Sequence, residues 1–413
     1  MKALVKILST VVVLWSSSAA LAGGPIYSRF GLGDLRLFGS NRASAMGLLG
    51  LGLSGDGFIN RFNPAGLSKI SLTRISGGFV FDRTTSTDQL GSTTLARGDF
   101  QSLALAIPAS TADGLVLFAG ASPYSLVNYN LKVNGNTPGI PSTQTLVGQG
   151  GISSLSIGAS YSPVSDVSFG LKYSYLYGTI SRISNITFDD PSFTQSETDQ
   201  SLYHAGSMVT FGFQADSIGR LLNAPGLLPF SFGFVLTSPV NLSVKEETIL
   251  LTPSAADTTV IARGKTSIPI GYGFGLSYAA SSRLLVAGDV FLQPWTSANF
   301  FGIPPVSTRN SVRAAVGMEF AARQNPETYW ERVAYRAGFT YTTSYVAFNG
   351  QALNEWYVSG GLALPIGPDA RINLALHLGS RGSTVQGLQK DNFLRVSVSF
   401  SASERWFITI EED

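Results

Sequence analysis

At 413 residues the chain is too long for an ordinary single sandwich, and only 13% of it is charged, about half the usual soluble share of roughly 25%. No apolar run approaches the ~18 residues of a membrane-crossing helix, and a net charge of +2 without a basic stripe argues against nucleic acid. The lack of cysteine excludes disulfides, thiolate metal sites and thiol nucleophiles; with only His204 and His377 as histidines, no metal or other cofactor is expected.

The N-terminus has the layout of a secretory signal. Lys2 and Lys6 supply the positive region, Ile7 to Trp15 a short apolar core, and Ala20-Leu21-Ala22 a small-x-small cleavage site. Residues 1–22 are therefore expected to be removed, with cleavage after Ala22. Residues 23–67 follow, rich in glycine and without alternation, and they close on Asn63-Pro64-Ala65-Gly66-Leu67. Gly50 to Gly55 matches G-x-G-x-x-G, but Gly55, Gly57 and Pro64 break the helix that a dinucleotide fingerprint needs after it. Flexible-backbone packing in a confined space is the better reading, and 23–67 is predicted to be a plug.

From Ser71 the pattern turns to period two, as in strands with one face to lipid and the other to a lumen. In 371–378, Ile372, Leu374, Leu376 and Leu378 alternate with Arg371, Asn373, Ala375 and His377. In 167–177, Val167, Phe169, Leu171, Tyr173, Tyr175 and Tyr177 share a face. The predicted strands are 70–82, 99–108, 114–130, 149–162, 165–187, 201–215, 228–246, 259–280, 283–295, 309–322, 328–343, 353–365, 370–380 and 392–401. Long polar connections (83–98, 131–148, 188–200, 247–258, 296–308, 381–391) alternate with short ones, 216–227 being the exception. The fold class is thus all-β: a transmembrane antiparallel barrel of about 14 strands over 68–401, with the plug in its lumen and an extension at 402–413. Phe79, Phe81, Trp295, Trp330 and Trp356 near predicted turns suit interfacial girdles.

Asn63-Pro64-Ala65, after a glycine-rich start containing Ser28-Arg29-Phe30-Gly31-Leu32-Gly33 and before fourteen alternating segments, resembles the FadL/TodX family of outer-membrane channels for hydrophobic molecules. The chain is also similar to the related PorV-like barrels of Bacteroidota. The first resemblance implies a passive channel in the cell outer membrane for long-chain fatty-acid-like substrates, closed by a hatch carrying Asn63, Pro64 and Ala65. It also implies a kinked third strand that opens a side exit. The second implies a non-transporting partner in protein secretion or surface attachment. Outer-membrane lipids, a hydrophobic small molecule and the barrel-assembly machinery are the implied partners, and a monomer is favoured. Independently of either resemblance, Gly120 and Pro123 predict a break in the third strand, because proline cannot donate to a ladder and glycine marks bends.

Candidate chemistry is sparse. Arg313, Arg332, Arg336, Arg371 and Arg395 fall in inward phase, where they can bond the plug or steer a carboxylate head group. Leu250, Leu251, Trp295, Phe300 and Phe301 put apolar side chains on predicted outer loops, either as a greasy capture groove or as a lid. No G-x-S-x-G elbow accompanies the two histidines, and no enzyme is expected.

Overall fold

A computed structural model of the protein describes residues 26–36, 39–89, 91–137, 140–252, 258–303, 307–348, 351–385 and 388–406. The expected signal peptide and its cleavage site at Ala22 lie outside these residues, as does 407–413. Fourteen antiparallel strands close into a barrel. Strands one and two are Thr73–Thr87 and Ser92–Ser110, and strand three runs as Leu115–Pro123 and Ser125–Thr137. Strands four to six are Ile140–Val164, Val167–Phe188 and Ser196–Ala215. Strand seven is Phe230–Thr237 with Val240–Leu251, and strand eight Thr258–Ile268 with Gly271–Ala279. Strand nine is Leu284–Gln293, and strand ten Ser307–Thr308 with Ser311–Phe320. Strands eleven to fourteen are Ala334–Phe348, Gln351–Pro365, Ala370–Gly382 and Lys390–Glu404.

Strand fourteen pairs with strand one from Lys390↔Thr87 to Glu404↔Thr73, and this closes the wall. The wall therefore continues past the expected end at 401: Ala402, Ser403 and Glu404 are paired strand residues. Closure leaves no free edge along that seam, which a wall facing lipid requires. The alternation is the expected one. Phe79, Leu155, Ile157 and Leu171 stand exposed outward, while Ser156, Thr210, Thr266 and Ser397 are buried inward.

Most connections expected to be long loops are hairpin extensions of the strands. Thr84, Thr85, Thr87, Thr93 and Thr94 carry strands one and two far into 83–98, because β-branched residues suit a pleated ladder even when polar. The stretch 296–308 does remain mostly irregular. At the other end, 216–227 holds a short helix at Ile218–Leu221 and a 3-10 turn at Pro225–Leu227. Strand eleven begins at Ala334 rather than 328, since Tyr329–Arg332 form a 3-10 turn.

The N-terminal segment lies inside this wall. It contains a 3-10 turn (Ile26–Arg29), a two-residue strand (Asp34–Leu35), a helix (Asn41–Ala45) and a second 3-10 turn (Pro64–Leu67). Ser40 caps the helix by accepting from the Ala43 N–H at 2.9 Å. Met46, Leu49, Leu53 and Phe58 pack on Ala287 and Ala315 of strands nine and ten. Ile59, Leu67 and Ile70 pack on Ala104, Val116 and Phe118 of strands two and three. Contacts on opposite sides of the wall hold the segment across the lumen.

Candidate functional site

Asn63 is the centre of the contact between segment and wall. Its side-chain oxygen accepts from the Ala65 N–H at 3.1 Å and so caps the Pro64–Leu67 turn. Its Nδ2 donates to the carbonyl of Leu51 at 2.8 Å and, across the lumen wall, to the carbonyl of Phe213 at 3.0 Å. Pro64 takes a first-turn position where a missing N–H costs nothing, and Ala65 is fully buried. The wall meets this turn with glycine. A Cβ at Gly170 would collide with Pro64 and Ala65, one at Gly212 with Asn63, and one at Gly233 with the Leu51 carbonyl. Gly170 and Gly212 are direct cross-strand partners, and so are Gly233 and Gly275. Sequence reasoning did not single out these wall glycines. Glycine at an inward strand position is the signal that could have found them.

The G-x-G-x-x-G match at Gly50–Gly55 serves the same contact. Gly50 and Leu51 donate backbone N–H groups to Asp289 Oδ2 at 2.7 and 2.8 Å.

Strand three breaks at Tyr124, directly after Pro123. Gly120 does not take part in the break: it pairs with Ala104 on one side and Ser156 on the other. Pro123 pairs only toward strand four, with Ser153. Above Leu103↔Ala121, among the described residues, no ladder joins strands two and three, so the N–H that Pro123 lacks is not needed there. On the strand-four side, Gly150 and Gly151 adopt φ of 99° and 149° opposite the break, conformations that favour glycine. The displaced strand three finds its partners in the N-terminal segment. Asp34 and Leu35 pair with Leu126 and Ser125, the Arg36 N–H donates to the Tyr124 carbonyl at 2.8 Å, and the Ser28 hydroxyl bonds both polar backbone groups of Asn128. Arg61 reaches the sill of the opening and donates to Ser122 Oγ at 2.6 Å.

A cavity of about 530 Å³ lies behind this opening. Leu35, Leu48, Leu126, Phe291 and Val346 give it apolar walls, and Arg313, Arg395 and His377 are among its polar lining. Its lining also includes Phe100, Ser153 and Tyr177, which are outward-facing and exposed, so it continues through the wall between strands two and four. Volumes of roughly 300–1,000 Å³ suit small-molecule pockets.

The five candidate arginines separate. Arg395 Nε donates to Asp82 at 2.9 Å and its Nη1 to Glu355 at 3.3 Å. Arg336 donates to Glu319 at 2.6 Å and to Asn373 at 3.0 Å, and Arg42 of the N-terminal segment forks onto the same Glu319. Among the described residues, Arg313 is the one of the five that bonds the segment directly, donating to the Leu48 carbonyl at 2.7 Å. Arg371 lines a separate cavity of about 300 Å³ at the turn end of the barrel, beside Arg42 and Arg336. Arg332, expected in inward phase, instead sits exposed in the 3-10 turn before strand eleven and does not face the lumen. Inside a wall of low polarity, charges are held by opposite charges. The acids Asp82, Glu319 and Glu355 thus decide what the arginines do.

Two further groups sit at the segment's first turns. Burial raises the Tyr27 hydroxyl to about 12, and it donates to the Gln389 carbonyl. Burial also works against ionisation of Asp34, but Arg381 and Arg36 outweigh it and hold this carboxyl below its usual range. Arg381 Nη1 donates to Asp34 at 2.7 Å.

Of the apolar loop candidates, Trp295 is fully buried, which also removes it from the interfacial girdle. Its ring lies 4.6 Å from that of Tyr345 and stacks on Phe300 at 6.2 Å. The loop is pinned where Phe301 N–H donates to Thr266 at 3.1 Å and Gln200 donates to the Gly302 carbonyl at 2.9 Å. Trp295, Phe300 and Phe301 therefore form a packed cover over the loop end of the lumen, not an open groove. Leu250 and Leu251 lie apart from it, on the hairpin of strands seven and eight, where Leu250 is exposed. The histidines are built into the wall: His377 stacks on Tyr357 at 5.3 Å, and His204 Nδ1 lies 3.1 Å from the Leu202 carbonyl.

A family model described as BamG matches residues 1–411. No curated protein matches the chain. Among solved structures, the toluene transporter TodX of Pseudomonas putida is similar with a TM-score of 0.59 and 15% identity, covering 91% of this chain and all of that one. A FadL homologue of Pseudomonas aeruginosa is similar with a TM-score of 0.60 and 11% identity, over the same shares. At these identities the likeness concerns the fold.

Proposed function

We propose that this chain, which belongs to the BamG family, is an outer-membrane channel that passes hydrophobic molecules sideways through its wall. The observation that carries this reading is the cavity of about 530 Å³, apolar on most sides, that continues through the break in strand three. In this reading the short turns face the periplasm and the long hairpins face outward. Residues 26–67 act as the hatch, fixed by Asn63, Pro64 and Ala65. A substrate with an apolar body and a small polar end fits, because Arg313 and Arg395 are among the lining of a largely apolar chamber. Transport is passive and involves no cofactor. Fatty-acid-like molecules are the class we favour, and the toluene of the TodX description enters as a second class.

The packed cover of Trp295, Phe300 and Phe301 favours a second reading, that of a barrel which transports nothing and serves as a partner in secretion or surface attachment. Uptake of a labelled long-chain fatty acid and of toluene by cells with and without the protein separates the two. Protein-dependent uptake of either supports the channel; no difference for both compounds contradicts it and leaves the partner role.

A further inference from the structure

The break in strand three leaves the two sides of the opening unlike each other. On the strand-three side the backbone is occupied. Asp34 and Leu35 pair with Leu126 and Ser125, and Ser28 bonds Asn128. On the strand-two side it is not. Strand two pairs with strand one from Ser92 to Ala106, but its ladder to strand three begins only at Leu103. Among the described residues, Ser92–Ser102 have no ladder partner on the edge that faces the opening. Part of this edge lies beside the outward apolar face: Phe100 is exposed and meets the exposed Phe79 edge-on at 6.2 Å. Lipid cannot satisfy the backbone groups of an open edge, and each one left unmet is costly. The edge is extended; Ala96, Gly98 and Phe100 leave its outward side uncharged, while the alternate residues Arg97 and Asp99 are held as a pair, Nε to Oδ2 at 2.9 Å.

We propose that the free edge of strand two takes up an extended polypeptide segment of another protein, which adds to the wall as an extra strand. Main-chain hydrogen bonds would supply the binding, as in other cases of strand addition. The wall sets the character of the guest. Residues facing outward meet Phe100, whose ring is backed by Phe79 of strand one, and residues facing inward meet the polar lining around Ser122 and Arg61. The fitting segment therefore alternates apolar and polar residues, as strands of a membrane barrel do. This goes beyond passage of a small molecule: a peptide strand can occupy the edge whether or not anything crosses the wall.

The natural lack of cysteine allows one label at a chosen place. The full-length protein carrying Ala96→Cys, labelled with a fluorophore and held in lipid nanodiscs, is titrated with a synthetic peptide of about ten alternating valines and threonines that bears a quencher. A matched peptide is N-methylated so that neither edge can donate hydrogen bonds. Leu155→Cys, exposed on strand four, carries the control label. The proposal expects saturable quenching at position 96 that is at least about ten-fold tighter for the unmodified peptide, and none at 155. Equal quenching by both peptides would mean an apolar ligand site only. Equal quenching at both positions would mean partition into the membrane. Either result, or no saturable quenching, overturns the proposal. A failed uptake experiment with a positive peptide titration would remove the channel reading and leave this one standing.

Discussion

Gly233 sits where the Leu51 carbonyl presses on the wall, and Gly212 where Asn63 does. At such positions even a methyl group has no room, so each glycine decides whether the N-terminal segment can seat. Gly233→Val is expected to cost the seating roughly 1–3 kcal/mol through overpacking. Limited proteolysis of the folded protein should then cut between residues 40 and 60, where the wild type resists; equal resistance would contradict the close contact. Asn63→Ala strands the Leu51 and Phe213 carbonyls and removes the cap, a loss of about 1–3 kcal/mol. Denaturant unfolding followed by a reporter on the segment would show it. Asp34 makes the contact pH-dependent. Its carboxyl is held below the usual range, so its contribution is whole above the ordinary aspartate pKa of about 3.9 and is lost as pH falls through the lower folded value. Segment release as pH falls below the ordinary aspartate range should be steeper in the wild type than in Asp34→Asn, which has no proton to gain.

At the scale of elements, strand three shows what a sequence can and cannot disclose. Pro123 marks the break because proline lacks a donor, and that much is legible in one residue. The devices that shape the break are Gly150 and Gly151 on strand four and the Asp34–Leu35 bridge from almost a hundred residues upstream. Neither follows from alternation, because alternation reports only which face a residue takes. Pro123→Val should therefore leave the break in place, with uptake through the opening changed by less than about two-fold, since the glycines and the bridge persist. A large fall in uptake with intact assembly would show that the proline itself holds the opening. The sequence left groove and lid as alternatives for a different reason. Trp295 reads the same whether it faces lipid, solvent or a core, and only its neighbours Tyr345 and Phe300 reveal that it is buried. The strand extensions at Thr84–Thr87 and Ser92–Thr94 were missed because polar β-branched residues resemble a loop by polarity and a strand by shape.

For the whole molecule, period-two patterning was enough to give a closed wall of fourteen strands, because one buried and one outward face leave that signature on every strand. The lumen carried no such signature. Its contents are held by backbone carbonyls, by inward glycines and by arginines paired to Asp82, Glu319 and Glu355, contacts between residues far apart in the chain. Together they leave the lumen covered at its loop end and open at its side. The side opening is therefore where the account is most exposed to test. Ser153→Cys places a single thiol on its rim, and a bulky maleimide attached there fills the opening without touching the cover. Uptake of a labelled long-chain fatty acid by cells carrying this variant is measured before and after modification. The account predicts protein-dependent uptake that falls to the level of cells without the protein once the thiol is modified, while the same modification at Leu155→Cys changes nothing. Uptake that survives the block at residue 153 would contradict it.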